Sequence, residues 1–157
     1  GLVLNGAADG TAIDAALAED NTSNGAQAAA RARATIPTVE GKRAAFDSLV
    51  TSDTLPNAIV RMATMGYQHV NDPASLESLV GPYFAAINDI WENRSYKIAE
   101  YIIMGLYPAP LASAGLVDAT KAWLAANPGI PALRRMLIEN LAGVERAIEA
   151  QKRDAAE

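Results

Sequence analysis

The residue types that most often carry catalysis or bind metals are scarce in this chain. It contains one histidine, His69, and no cysteine, so it can form neither a His-x-x-x-His zinc pair nor a thiolate zinc site. A Gly-rich phosphate loop and a dinucleotide-binding fingerprint are also absent from the sequence. His69 lies in a polar segment that is typical of a surface loop. The sequence therefore predicts no catalytic residue, no metal site and no bound cofactor within this chain.

Two adjacent arginines occupy an unusual position. Arg134 and Arg135 fall in the first turn of the last predicted helix, where the helix dipole disfavours an exposed cation by about 0.3–1 kcal/mol. Glu139 lies four residues after Arg135 and could form an intrahelical ion pair with it. This pair is the simplest explanation. The alternative is a carboxylate from another domain or from a ligand, such as the C-terminus of a bound peptide.

A second candidate pair lies at a break between two predicted helices. Trp91 precedes the break and Arg94 lies within it. A tryptophan at helical spacing usually packs in a core, but Trp91 could instead line a groove beside Arg94. The guanidinium of Arg94 must reach water, a carboxylate or a backbone carbonyl. Together with the two arginines above, these residues are the candidates for contact with a substrate: Arg134, Arg135, Trp91 and Arg94.

Apolar residues recur at helical spacing along the whole chain, and no segment has the alternation of a strand. The predicted helices cover 12–19, 26–34, a segment capped by Thr38, a segment that follows Pro56, both halves of 82–108, a segment around 116–124, and 131–152. Thr11 is expected to cap the first helix, and a short turn is expected to run from Ser75 to Gly81-Pro82. The helix over 26–34 is nearly all alanine, so neighbouring helices can approach it closely.

Eight or nine such helices with short connections indicate an all-α protein. Two architectures fit: a compact bundle, or an α-solenoid of the HEAT/armadillo kind, which is a right-handed superhelix of antiparallel helix pairs. Several helices are apolar on more than one side, which favours the solenoid, although no repeat of fixed period is visible.

Length and charge bound the remaining possibilities. The chain has 157 residues, enough for one helical domain over 1–157. Its net charge of −5 disfavours nucleic acid and anionic membranes as partners. The absence of cysteine fits a cytoplasmic protein. The first residue, Gly1, is not a methionine, so we expect a fragment of a larger protein, monomeric when isolated.

Several short segments carry a family resemblance, in one order along the chain. They are IDAALA (13–18), ARARA (30–34) followed by Pro37-Thr38, DTLPNA (53–58), PYF (82–84), Ile90-Trp91 with Arg94-Ser95, GLYP (105–108) and ALRR (132–135). Together they resemble the C-terminal helical domain of bacterial aminopeptidase N, of the actinobacterial kind. That family belongs to the gluzincin zinc aminopeptidases and is related to the endoplasmic-reticulum aminopeptidases.

The resemblance implies a role for the chain beside a catalytic domain. In the family, a separate domain binds zinc through His-Glu-x-x-His and a downstream glutamate, and removes N-terminal residues from peptides. None of those motifs occurs here, so this chain alone is expected to be inactive, with zinc in the parent enzyme. The C-terminal domain is expected to be a superhelical bowl that encloses the active site and controls peptide access. Its partners would be the catalytic domain and peptide substrates. The alternative is a free-standing helical-repeat module that binds a protein or peptide.

Overall fold

The computed structural model describes residues 10–19 and 22–156, and in these residues every regular element is helical. The sequence prediction of an all-α protein is thus confirmed. Two short 3-10 helices, Pro73–Leu79 and Ala109–Leu111, join longer ones. The α-helices are α1 Gly10–Glu19, α2 Ser23–Thr35, α3 Val39–Thr51, α4 Asn57–Tyr67, α5 Val80–Asn93, α6 Tyr96–Leu106, α7 Ala114–Ala126 and α8 Pro131–Ala156.

Most helices that follow one another in sequence lie side by side: α1 contacts α2, α2 contacts α3, α3 contacts α4, α5 contacts α6 and α7 contacts α8. Several alternate helices are also in contact. Contacts join α2 to α4, α4 to α6 and α6 to α8, which places the even-numbered helices in one layer. On the other side, the first 3-10 helix contacts both α3 and α5, and α5 contacts α7. This is the order expected of stacked helix pairs. The right-handed superhelix remains a prediction.

The helical hairpin formed by α5 and α6 supplies much of the core. Its predicted apolar stripes are largely buried, with Tyr83, Ile87 and Ile90 on α5 and Ile102 and Leu106 on α6 at about 1% exposure each. Burying side chains of this size contributes roughly 1.5–3 kcal/mol apiece.

Helix starts follow local sequence signals. The hydroxyl oxygens of Thr38 and Ser95 accept the N–H groups of Gly41 and Ile98, as N-caps do. Thr11, in contrast, lies inside α1 rather than before it. The turn expected from Ser75 to Gly81-Pro82 was also misplaced, because a 3-10 helix begins at Pro73 and Gly81 and Pro82 already belong to the first turn of α5.

Helix ends are held by side chains from other helices. The ammonium of Lys42 donates to carbonyls at the ends of α2 and α4, and the Gln68 amide to carbonyls at the end of α6. The guanidinium of Arg94 donates to carbonyls in the last turn of α3, and that of Arg134 to carbonyls at the end of α7. These are the carbonyls that a helix cannot satisfy internally.

The alanine-rich helix α2 packs directly against α4, which confirms the prediction of a close approach. A Cβ atom added to Gly66 would lie 2.1 Å from the carbonyl oxygen of Arg31 and 3.0 Å from the Cβ of Ala34. A helix–helix contact of this kind requires glycine at that position.

Candidate functional site

A groove crosses the even-numbered layer of the described residues. It lies between α4, α6 and the first turns of α8, with a volume of about 820 Å³. That volume falls in the range of roughly 300–1,000 Å³ typical of ligand sites. Its lining residues are Arg61, Thr64, Met65, Gln68, Tyr96, Glu100, Tyr101, Met104, Gly105, Arg135, Met136 and Glu139.

The apolar part of this groove is made of methionine and tyrosine. Met65, Met104 and Met136 are three of the four methionines in the chain. Met65 is 37% exposed and Tyr96 is 55% exposed, so both present apolar surface to a ligand. Thioether side chains are flexible and polarizable, and they adapt to differently shaped apolar partners. Such a surface suits a ligand of variable side chains better than one of fixed shape.

The charged part of the groove is balanced. Arg61 and Arg135 face it together with Glu100 and Glu139. In the part of the chain that the structure describes, ion pairs join Asp14 to Arg33, Arg43 to Asp47 and Glu149 to Lys152. The intrahelical pair expected between Arg135 and Glu139 is therefore not formed. Within the described part of the chain the four groove charges have no ion-pair partner, so they could bind a ligand that carries an anionic and a cationic group.

Hydrogen bonds and close packing hold the three walls of the groove together. The Gln68 side-chain amide at the end of α4 donates to the carbonyl oxygens of Gly105 and Tyr107 at the end of α6. A Cβ atom on Gly105 would lie 2.4 Å from the Cβ of Thr64, so α6 packs against α4 with no space for a side chain at this position. From α8, the Asn140 amide donates to the sulfur of Met104 across 3.7 Å.

The structure separates the four residues that the sequence suggested for substrate contact. Arg135 lines the groove and is exposed. Arg134 donates to the carbonyls of Leu124 and Asn127, the latter at 3.0 Å, which explains how a cation is tolerated in the first turn of α8. Its position therefore stabilises the junction between α7 and α8.

The other two candidates lie at the break between α5 and α6. Arg94 donates to the carbonyl oxygens of Leu49 at 3.3 Å and Val50 at 2.6 Å. A backbone carbonyl was one of the three kinds of partner predicted for this guanidinium from the sequence. The half-buried Trp91 packs edge-on against Tyr96, with ring centroids 5.7 Å apart. Trp91 thus supports a groove residue without being one of the lining residues.

Sequence reasoning missed most of the groove, including Arg61, Met65, Tyr96 and Glu100. One signal was available. The dipeptide Met-Gly occurs near the ends of both α4 and α6, as Met65-Gly66 and Met104-Gly105, and in each case the glycine makes the close contact while the methionine faces the groove.

The described residues do not fit the zinc ion that the family resemblance implies for the parent enzyme. They contain no group of three or more His, Cys, Asp or Glu side chains able to hold a metal, so no chemical step is assigned to a metal in this domain.

In the same described residues, none of the helices combines the length and apolar character needed to cross a membrane.

Comparison with known proteins identifies the family of this chain. Residues 2–146 match the model of the ERAP1-like C-terminal domain. The chain is 41% identical over 147 residues to an aminopeptidase N of Streptomyces lividans, an alignment that covers 94% of this chain and 17% of that protein. The chain thus spans about a sixth of the length of this relative. With a family match over most of its length, the chain belongs to the family of ERAP1-like C-terminal domains.

Proposed function

We propose that this domain encloses the active site of an aminopeptidase and controls the access of peptides, with the groove between α4, α6 and α8 facing the bound peptide. Two findings support this function: membership of a C-terminal domain family that is found in aminopeptidase N, and a groove whose surface is adaptable and carries both signs of charge. The groove is the observation on which the proposal depends.

Each kind of groove residue has a role in this proposal. Arg61 and Arg135 attract the carboxylate end or acidic side chains of a peptide, since guanidinium groups bind carboxylates strongly. Glu100 and Glu139 attract basic side chains. Met65 and its neighbours contact apolar side chains without demanding one shape. The domain binds and orients the peptide, which favours reaction by proximity, and it leaves bond cleavage to another domain.

The partners follow from this role. The catalytic domain of the same protein would lie over the groove, and zinc would be bound by that domain. The substrates would be peptides long enough to reach from the catalytic centre to α4, α6 and α8. The cytoplasmic location and the monomeric state remain predictions from the sequence.

A double substitution in the full-length protein tests the proposal. Met65→Ala with Tyr96→Ala removes the two most exposed apolar side chains of the groove. We expect the KM for peptides of about eight or more residues to rise several-fold, roughly threefold to tenfold, because about 1 kcal/mol of apolar contact is lost. The kcat/KM for a single aminoacyl reporter amide, which is too short to reach the groove, should stay within about twofold.

The matched control is Val39→Ala. Val39 is 47% exposed on α3 and is not among the lining residues, so its loss should affect neither substrate. Equal effects of the groove variant on the peptide and on the reporter, or no effect on either, would contradict the proposed function.

A further inference from the structure

Lys42 is a fully buried cation that has no carboxylate partner among residues 10–19 and 22–156. Its side chain has 0% exposure, and its ammonium lies within hydrogen-bond distance of four backbone carbonyl oxygens. They belong to Ala34 at 2.7 Å, Gly66 at 3.3 Å, Tyr67 at 3.2 Å and His69 at 2.6 Å. A buried charge is tolerated only where it is compensated, so these four dipoles take the place of a counter-ion.

Three of these carbonyls come from the ends of two helices, and that of His69 lies just beyond the second. Ala34 lies in the last turn of α2, and Gly66 and Tyr67 end α4. The C-terminus of a helix carries a partial negative charge of about half an elementary charge, so two helix ends together complement one ammonium. Burial lowers the pKa of Lys42 to about 8, which leaves the ammonium as the main form at neutral pH.

The end of α4 that Lys42 holds also carries part of the groove. Met65 immediately precedes Gly66, and Gln68 immediately follows Tyr67. Both Met65 and Gln68 line the groove. Gln68 in turn holds the end of α6 through the carbonyls of Gly105 and Tyr107, as described above. Lys42 therefore holds the carbonyls at the end of α4, and the next residue along the backbone, Gln68, holds the facing groove wall.

We propose that Lys42 is a positioning residue for the groove: by holding the carbonyls of Gly66, Tyr67 and His69, its ammonium fixes the wall that presents Met65 and Gln68 to a bound peptide. This inference rests on the proposed function of the groove. Lys42 itself touches no substrate, because it is buried beneath the helices.

The test is Lys42→Met in the full-length protein. Methionine keeps most of the apolar stem but donates no hydrogen bond, so the end of α4 loses its cation while the packing is largely retained. We expect the KM for long peptides to rise about fivefold, because small misplacements of binding groups reduce affinity strongly. The kcat/KM for the aminoacyl reporter should stay within about twofold, measured well below the unfolding temperature. Lys121→Met, at an exposed lysine of α7, is the control.

A general loss of stability would not produce this division between substrates, since unfolded enzyme lowers turnover of both equally. Unchanged peptide KM in folded Lys42→Met overturns the inference. If Met65→Ala with Tyr96→Ala still raises that KM, the proposed function stands and only the role of Lys42 is wrong; if neither variant changes it, both are wrong.

If Lys42→Met does not fold, Lys42→Arg provides the second variant. It keeps a cation but cannot place one nitrogen among four carbonyls, so it should raise the peptide KM by a smaller factor, about twofold to threefold. A peptide KM equal to that of the unchanged protein would overturn the inference in this variant also.

Discussion

Replacing Gly66 by alanine should destabilise the domain, although alanine is the better helix former. The added methyl group would lie 2.1 Å from the Arg31 carbonyl oxygen and 2.8 Å from the Thr35 hydroxyl oxygen. The first of these atoms is backbone, so α2 and α4 must move apart as units. Such overpacking lowers the free energy of unfolding by about 1–3 kcal/mol. Because the neighbouring atom belongs to the backbone and cannot rotate away, we expect a value near the upper limit, about 3 kcal/mol. The better helix propensity of alanine offsets about 1 kcal/mol of this, so the free energy of unfolding should fall by about 2 kcal/mol in total.

The assay is urea unfolding followed by circular dichroism at 222 nm. A loss of this size should lower the unfolding temperature by about 4–8 °C in a domain of this length. Gly81→Ala is the matched control, because Gly81 lies in the first turn of α5 and an added Cβ would have no atom within 4 Å apart from its chain neighbours and the backbone of its own helix. Its stability should stay equal or rise slightly. If the two variants unfold at the same urea concentration, the packing argument for Gly66 is wrong.

Two further predictions concern the charged groups of the interior. Arg94→Ala should lower the free energy of unfolding by about 1–3 kcal/mol, because the carbonyls of Leu49 and Val50 lose a charged donor; a change below about 0.5 kcal/mol in urea unfolding would show that water replaces it. The second prediction concerns how the free energy of unfolding depends on pH. The folded pKa of Lys42 is about 8 against about 10.4 when unfolded, so the unfolded chain binds more protons in this interval and stability should rise with pH from 8 towards 10. Burial raises the pKa of Tyr67 above its ordinary value of 10.0, so above pH 10 the unfolded chain loses protons first and stability should fall. Urea unfolding at several pH values checks this, and a steady decline from pH 7 onwards would contradict it.

Local signals in the sequence were sufficient to predict which segments form helices. The period of apolar residues, the cap Thr38, and the break between Trp91 and Tyr96 depend only on residues close in sequence. Boundaries failed where proline or threonine could serve in two ways, as at Thr11 and Pro82.

The groove could not be predicted in the same way, since it depends on which helices lie side by side. Arg135 was a candidate because of its place in a first turn, but Arg61 and Glu100 look like ordinary exposed charges in their own helices. Lys42 gave no signal either. Its partners are backbone carbonyls from two stretches of chain, at Ala34 and at 66–69, and no residue type in a sequence indicates that its carbonyl will bind a buried cation.

The side chains that hold the ends of neighbouring helices also bear on folding cooperativity. Lys42, Gln68, Arg94 and Arg134 make their carbonyl contacts across 7 to 45 residues of sequence. The C-terminal ends of α2, α3, α4, α6 and α7 therefore cannot fray without breaking a contact made from elsewhere in the chain. Stacked-helix proteins are approximately one-dimensional, and their terminal units can open separately. Here each such opening would also expose a charged or amide group that is now satisfied. The contacts therefore couple local opening to neighbouring helices, and α2–α8 should unfold in fewer and larger steps than a stack joined by apolar packing alone.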